Sequence, residues 1–155
     1  MNKLLMAAVA AFLFSTFSVQ NAQAAPNGLI IKSSSFDVAT TVKRLEAIFK
    51  KKGITIFAVV DHAAGAKRVG IDLLPTTLVI FGNPKLGTPL MKSSRTVAID
   101  LPQKALVWKD AKGTVWLAYN NQNYLAKRHN IKNRSKILAK IAGVLNKLTD
   151  AAIKP

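Results

Sequence analysis

Ala105-Leu106-Val107-Trp108-Lys109-Asp110-Ala111-Lys112-Gly113-Thr114-Val115-Trp116-Leu117-Ala118-Tyr119 reads as two β-strands joined by a tight turn. The arms, Ala105 to Lys109 and Thr114 to Tyr119, are rich in β-branched and aromatic residues, and Asp110 to Gly113 supplies turn chemistry, with Gly113 suited to the left-handed position. Strands joined by so short a link run antiparallel, so the sheet that contains them is antiparallel-rich. Trp108 and Trp116 lie on neighbouring arms and are expected to stack across the strands.

Upstream of this hairpin, Thr96 to Leu101 and Thr76 to Phe81 read as further strands, the second broken abruptly at Gly82-Asn83-Pro84. Thr88-Pro89 reads as an N-cap with proline at the first helical position, which puts Leu90 and Met91 on a short helical turn. Ile54 to Val60 is apolar on both faces, the pattern of a covered strand inside a sheet, and it delivers Asp61 and His62 at its end. The stretch between Ala63 and Pro75 suits a short helical segment. Gly28 to Lys32 is a short strand, and a helix runs from the N-cap Asp37 to Gly53 with Val38, Val42, Leu45, Ile48 and Phe49 on its apolar stripe.

Downstream, Tyr124 to His129 forms a short helix and about Asn133 to Ile153 a long one. The long helix has Ile137, Leu138, Ile141, Leu145, Leu148 and Ala152 on one stripe and Lys136, Lys140 and Lys147 on the wet side. The order is β, α, an antiparallel meander, then α. That is an α+β fold, an antiparallel-rich sheet with helices packed on one face.

The first residues have a different character. Lys3, the apolar run from Leu4 to Phe17 and the small residues of Ala22-Gln23-Ala24 read as a signal peptide over residues 1–24, cleaved after Ala24. The run is shorter than the roughly 20 apolar residues that span a bilayer, and no later segment is long and apolar enough to do so. A single domain of residues 25–155 is therefore expected in the periplasm or outside the cell. The sequence contains no cysteine, which excludes disulfides, thiol catalysis and thiolate metal sites. After Ala24 there remain 22 basic and 7 acidic residues, a net charge of +15 that favours anionic partners. An extracytoplasmic address argues against nucleic acid and for a polyanionic ligand of the cell envelope.

Four ordered motifs carry a resemblance. They are Asp61-His62-Ala63-Ala64-Gly65-Ala66, Phe81-Gly82-Asn83-Pro84-Lys85 with Gly87-Thr88-Pro89-Leu90-Met91, Leu101-Pro102, and Tyr124-Leu125-Ala126-Lys127-Arg128-His129. Together they resemble the family known as domain of unknown function 302, over nearly all of the chain from Gly28 to the last helix. The resemblance implies a TATA-binding-protein-like fold of β-α-β4-α type and pairing as homodimers, and it implies no activity. Gln122 departs from the acidic or prolyl residue that the family commonly shows after the position of Asn121.

Asp61, His62, Asn83, Met91, Tyr119 and His129 are the candidate ligand-binding residues. Both histidines of the chain fall at the edge of an element, where side chains face clefts more often than cores. With Met91, His62 and His129 would make a set of two imidazoles and a thioether, which suits copper. A hydrolase-type enzyme would use Asp61 as orienter or base, His62 as proton shuttle and Asn83 as an oxyanion donor, although no serine or threonine sits in a recognisable nucleophile elbow. The leading expectation is an extracytoplasmic binding protein for a small or anionic ligand. Phe57, Phe81, Trp108, Trp116 and Tyr124 add aromatic surface to it. Copper handling through His62, Met91 and His129 is the alternative, and catalysis comes third.

Overall fold

The computed structural model describes residues 27–155 and the backbone of Gln23 and Ala24. The expected signal segment otherwise lies outside the described residues. In chain order the elements are β1 (Gln23–Ala24), β2 (Leu29–Ser34), α1 (Val38–Lys51), β3 (Thr55–Asp61), α2 (His62–Arg68) and β4 (Thr76–Gly82). There follow α3 (Pro84–Ser93), a 3-10 turn (Arg95–Ile99), β5 (Gln103–Lys109), β6 (Val115–Asn120), α4 (Gln122–Arg128) and α5 (Ser135–Ile153). The strands form one antiparallel sheet in the order β1-β2-β6-β5-β4-β3. Apart from the two residues of β1, this is an α+β fold in β-α-β4-α order.

The hairpin lies where the sequence puts it, with Trp108 opposite Trp116 and Gly113 at φ 87°. The two indoles are register partners, but the Trp116 N–H donates to Asp110 Oδ2 at 2.8 Å, and Asp110 Oδ1 accepts from the backbone of Lys112 and Thr114. The turn is thus tied to its own arm by one carboxylate. Gly28 is needed for a different reason: at φ 81°, a Cβ there would fall 2.3 Å from the Tyr124 ring.

Helix α1 begins where Asp37 accepts the Thr40 N–H, and it ends with Lys50 and Lys51 at the negative end of its dipole. It buries Val38, Val42, Leu45 and Phe49, and Phe49 stacks on Phe81 of β4 with ring centroids 4.1 Å apart. Beside it, α5 buries Leu138, Ile141, Leu145, Leu148 and Ala152, so both long helices share one face of the sheet. Arg44 of α1 donates to the carbonyls of Ala151, Ala152 and Lys154, satisfying acceptors that the end of α5 would otherwise leave open. From the sheet, the buried Lys32 ammonium reaches Asp150 Oδ1 at 2.8 Å, Asn146 Oδ1 at 2.8 Å and Thr149 Oγ1 at 2.9 Å.

Three sequence expectations are corrected. Thr96 to Leu101 is no strand: its β-branched residues sit in a 3-10 turn closed by local bonds such as Asp100 N–H to Val97 O, and only Val97 of that turn is buried. Helix α3 starts at Pro84 with Asn83 as its cap, so Thr88 and Pro89 lie inside it rather than at its start. Ile54 to Val60 is not covered, since β3 is the outer strand of the sheet, with Phe57 53% and Val59 43% exposed. Apolar residues on both faces mark a strand that is buried or one that is waiting for a partner, and the pattern does not distinguish the two.

The Trp116 hydrogen bond, followed by the backbone donors, holds the Asp110 carboxyl below its usual range despite some desolvation. A depressed folded-state value stabilises the fold above the unfolded pKa of about 3.9, and that stability is lost as pH falls through the folded value. Asp110→Asn should therefore lower the thermal midpoint at pH 7, with the gap to the parent closing on acidification below about pH 4. Thermal melts across pH 2 to 7 check this, and a gap of constant size would contradict it.

Candidate functional site

Where β4 ends, the chain turns at Asn83 into α3 and leaves a cavity of about 600 Å³ bounded by α3, α5 and the segment from Ala98 to Gln103. Its wall is largely aliphatic, with Leu86, Met91, Leu101, Ile141 and Leu145 on it and Phe81 coming from the sheet. Gly82 and Gly87 line it without side chains. A Cβ at Gly82 would lie 3.4 Å from Pro102 Cβ, and one at Gly87 would lie 3.6 Å from Leu101 Cδ1. Among the described residues, Lys52 and Lys147 are the charged ones on the lining.

The polar lining is mostly engaged elsewhere. Asn83 Oδ1 accepts the Lys85 N–H at 2.9 Å, capping α3. Gln103 forms a closed amide pair with the buried Gln122, donating at 3.3 Å and accepting at 3.1 Å. This pairing gives the buried Gln122 a structural task behind the cavity residue Gln103.

Of the six residues singled out from sequence, the cavity gathers Asn83 and Met91. Asp61 caps α2 by accepting the Ala64 N–H, and His62 is exposed beside it. Tyr119 lies in the core with the Lys32 ammonium 5.5 Å from its ring centroid, and burial raises its hydroxyl pKa above the usual value. His129 is buried between two partners: Nδ1 meets Thr96 Oγ1 at 3.0 Å and Nε2 meets Asp100 Oδ2 at 2.5 Å. Arg128 approaches the other oxygen of Asp100 at 3.5 Å. This polar line fastens the 3-10 turn to the end of α4, and so steadies the stretch that carries Ala98 and Leu101 to the cavity wall.

The two histidines do not meet. Asp61 pairs with Thr77, while His129 is bonded to Asp100, near Gln103, whose pairing partner is Phe81. At about 3.3 Å per residue, the strand from Thr77 to Phe81 separates the two ends by roughly 13 Å or more. The His62, Met91 and His129 copper set is therefore not assembled, and the described residues hold no group of three or more His, Asp or Glu placed to bind a metal. Reading from sequence missed Thr96 and Asp100 as partners of His129, and Leu86, Leu145 and Lys147 as cavity residues. Helical periodicity gave the core side of α5, but it does not tell a core position from one lining a void.

A family model described as "Domain of unknown function DUF302" matches residues 30–148. The chain belongs to the DUF302 family. A similar solved fold is the crystal structure of an uncharacterized conserved DUF302 protein from Bacillus stearothermophilus, with a TM-score of 0.72 and 21% identity, covering 81% of this chain and 98% of that one. At that identity the likeness concerns the fold. The DUF302 chain is also similar to two proteins named as fluoride-specific ion channels, FluC 1 of Brucella suis biovar 1 and FluC 2 of Brucella melitensis biotype 1. Each is 46% identical over 114 residues, 74% of this chain, but only 45% and 42% of the relative. The DUF302 chain thus spans less than half the length of these relatives, and among its described residues no helix is long and apolar enough to cross a membrane.

Asp61 and Asn83 act in this structure as helix caps. Asp61→Ala and Asn83→Ala should each cost about 1 kcal/mol in chemical denaturation. A loss near zero for both would show that their side chains are not engaged in capping.

Proposed function

We propose that this DUF302 protein is an extracytoplasmic binding protein that holds a small ligand in the cavity between β4, α3 and α5 and works as a homodimer. The cavity carries the reading: about 600 Å³, with a wall largely aliphatic, it falls within the range of small-molecule sites. Its polar residues are engaged in capping and pairing rather than aligned as nucleophile, base and oxyanion donor, which favours binding over catalysis. The address rests on the sequence of residues 3–24, where a basic residue, an apolar run and an Ala-Gln-Ala site follow one another.

The dimer reading rests on the outer strand β3. Its outward edge has no partner among the described residues, and Phe57, Val59 and Val60 on it are joined by exposed Val69, Ile71, Leu73 and Leu74 from the stretch that follows. Proteins rarely leave a hydrophobic edge of this length open, because it invites pairing with another chain. A second copy, presenting the same edge antiparallel, covers both at once.

A neutral fluorescent probe, N-phenyl-1-naphthylamine, should bind the purified protein one to one. Met91→Trp, which pushes a larger ring into the cavity, should weaken it about tenfold, equivalent to roughly 1.4 kcal/mol. Absence of saturable binding in the parent would remove the cavity as a ligand site. Size-exclusion chromatography with light scattering should give twice the single-chain mass for the parent and the single mass for Val60→Lys combined with Ile71→Asp. A parent that runs at the single mass would overturn the dimer.

A further inference from the structure

We infer that the ligand of the cavity is a single-chain amphiphile with an anionic head, of the fatty carboxylate class. Its chain lies along the aliphatic wall, and its head lies against Lys52 and Lys147. The inference rests on reading the cavity as the ligand site and adds the chemistry of the occupant. Three observations carry it.

The first is the sign of the lining. Lys52 and Lys147 are both exposed, no carboxylate shares the cavity with them, and neither takes part in an ion pair among the described residues. Two of the acidic groups elsewhere are committed to other cations: Asp150 to Lys32, and Asp100 to His129 and Arg128. Two uncommitted ammonium groups at an otherwise uncharged cavity favour a negative head over a neutral or cationic one.

The second is where a polar group can go. Asn83 is spent on the Lys85 N–H and Gln103 on Gln122, so the interior has few free partners for a ligand that is polar along its length. Burying a polar group without a partner is costly, which confines the ligand's polar end to the rim. An inorganic anion alone would leave the aliphatic wall unused.

The third is size. A cavity of about 600 Å³ is in the range of single small molecules, and one chain of about a dozen carbons, at roughly 30 Å³ for each methylene, is of that order. The source of such a chain, a free fatty acid or one released from an envelope lipid, leaves the recognition chemistry the same.

Titration calorimetry of the full chain with dodecanoate, decanoate, dodecanol and inorganic phosphate tests the inference. Dodecanoate should bind one to one and about an order of magnitude more tightly than decanoate, at roughly 0.8 kcal/mol for each buried methylene. Dodecanol should bind at least tenfold more weakly. The double variant Lys52→Glu, Lys147→Glu changes two exposed side chains and should lose about tenfold or more for dodecanoate with dodecanol unchanged. Gly87→Leu should weaken both probes, with thermal melts confirming that it folds.

Equal affinity for dodecanoate and dodecanol, indifferent to the charge reversal, would overturn the anionic head while leaving the cavity as a ligand site. Binding of phosphate as tight as that of dodecanoate, lost in the lysine variant and kept in Gly87→Leu, would overturn the chain. If no probe binds at all, the reading of the cavity as a ligand site fails, and this inference fails with it.

Discussion

The stack of Phe49 on Phe81 fixes how closely α1 lies on the sheet, and the neighbouring features follow from that depth. Phe49 is the last buried residue of α1, and Phe81 is the last buried residue of β4. Their contact therefore joins the exit of a helix to the exit of a strand. Beyond Phe49 the chain runs through Lys52 into β3, and beyond Phe81 it runs through Asn83 into α3. Both exits border the cavity, which also takes Phe81 as part of its wall. Loss of an aromatic ring here would remove packing on two elements together, the kind of core change that costs several kcal/mol.

The covering of the sheet is one-sided. Lys32, Val79, Val107 and Leu117 point toward α1 and α5, while the residues between them point away. On that far side Ile31, Ala118, Leu106, Leu78 and Val60 are register partners from one strand to the next and make an apolar row that ends at the exposed edge. The edge strand and this row together explain why a chain with so many lysines still carries so much apolar surface on one flank.

Much of the fold was legible in the sequence because its local signals agree with its tertiary packing. The hairpin turn, the Asp37 cap and the 3-4 spacing of apolar residues in α1 and α5 each name a structure that long-range contacts then reinforce. Thr96 to Leu101 misleads because its β-branched content matches a strand, while its geometry is decided by His129 from another part of the chain. The site was less legible. Asn83 and Met91 were reached through turn chemistry and side-chain softness, whereas Leu86, Leu145 and Lys147 look like any core or surface positions of a helix. A void is made by what several elements fail to fill, and no single stretch of sequence reports it. The histidines drew attention by rarity, and the fold separates them along the strand direction.

The pairing of β2 with β6 joins residues 29–34 to residues 115–120, and Lys32 finds its acceptors only at residues 146–150. A chain made from its amino end thus holds β2 with only the two residues of β1 beside it until residues 115–120 have emerged. Strands β3 to β6 can zip in sequence, but β2 and the last helix close the structure together, late and over a long loop. Closure of the fold around Lys32 therefore waits for residues 146–150. Until then β3 to β6 can pair, but the helix-facing side of the sheet lacks the cover that α5 gives it.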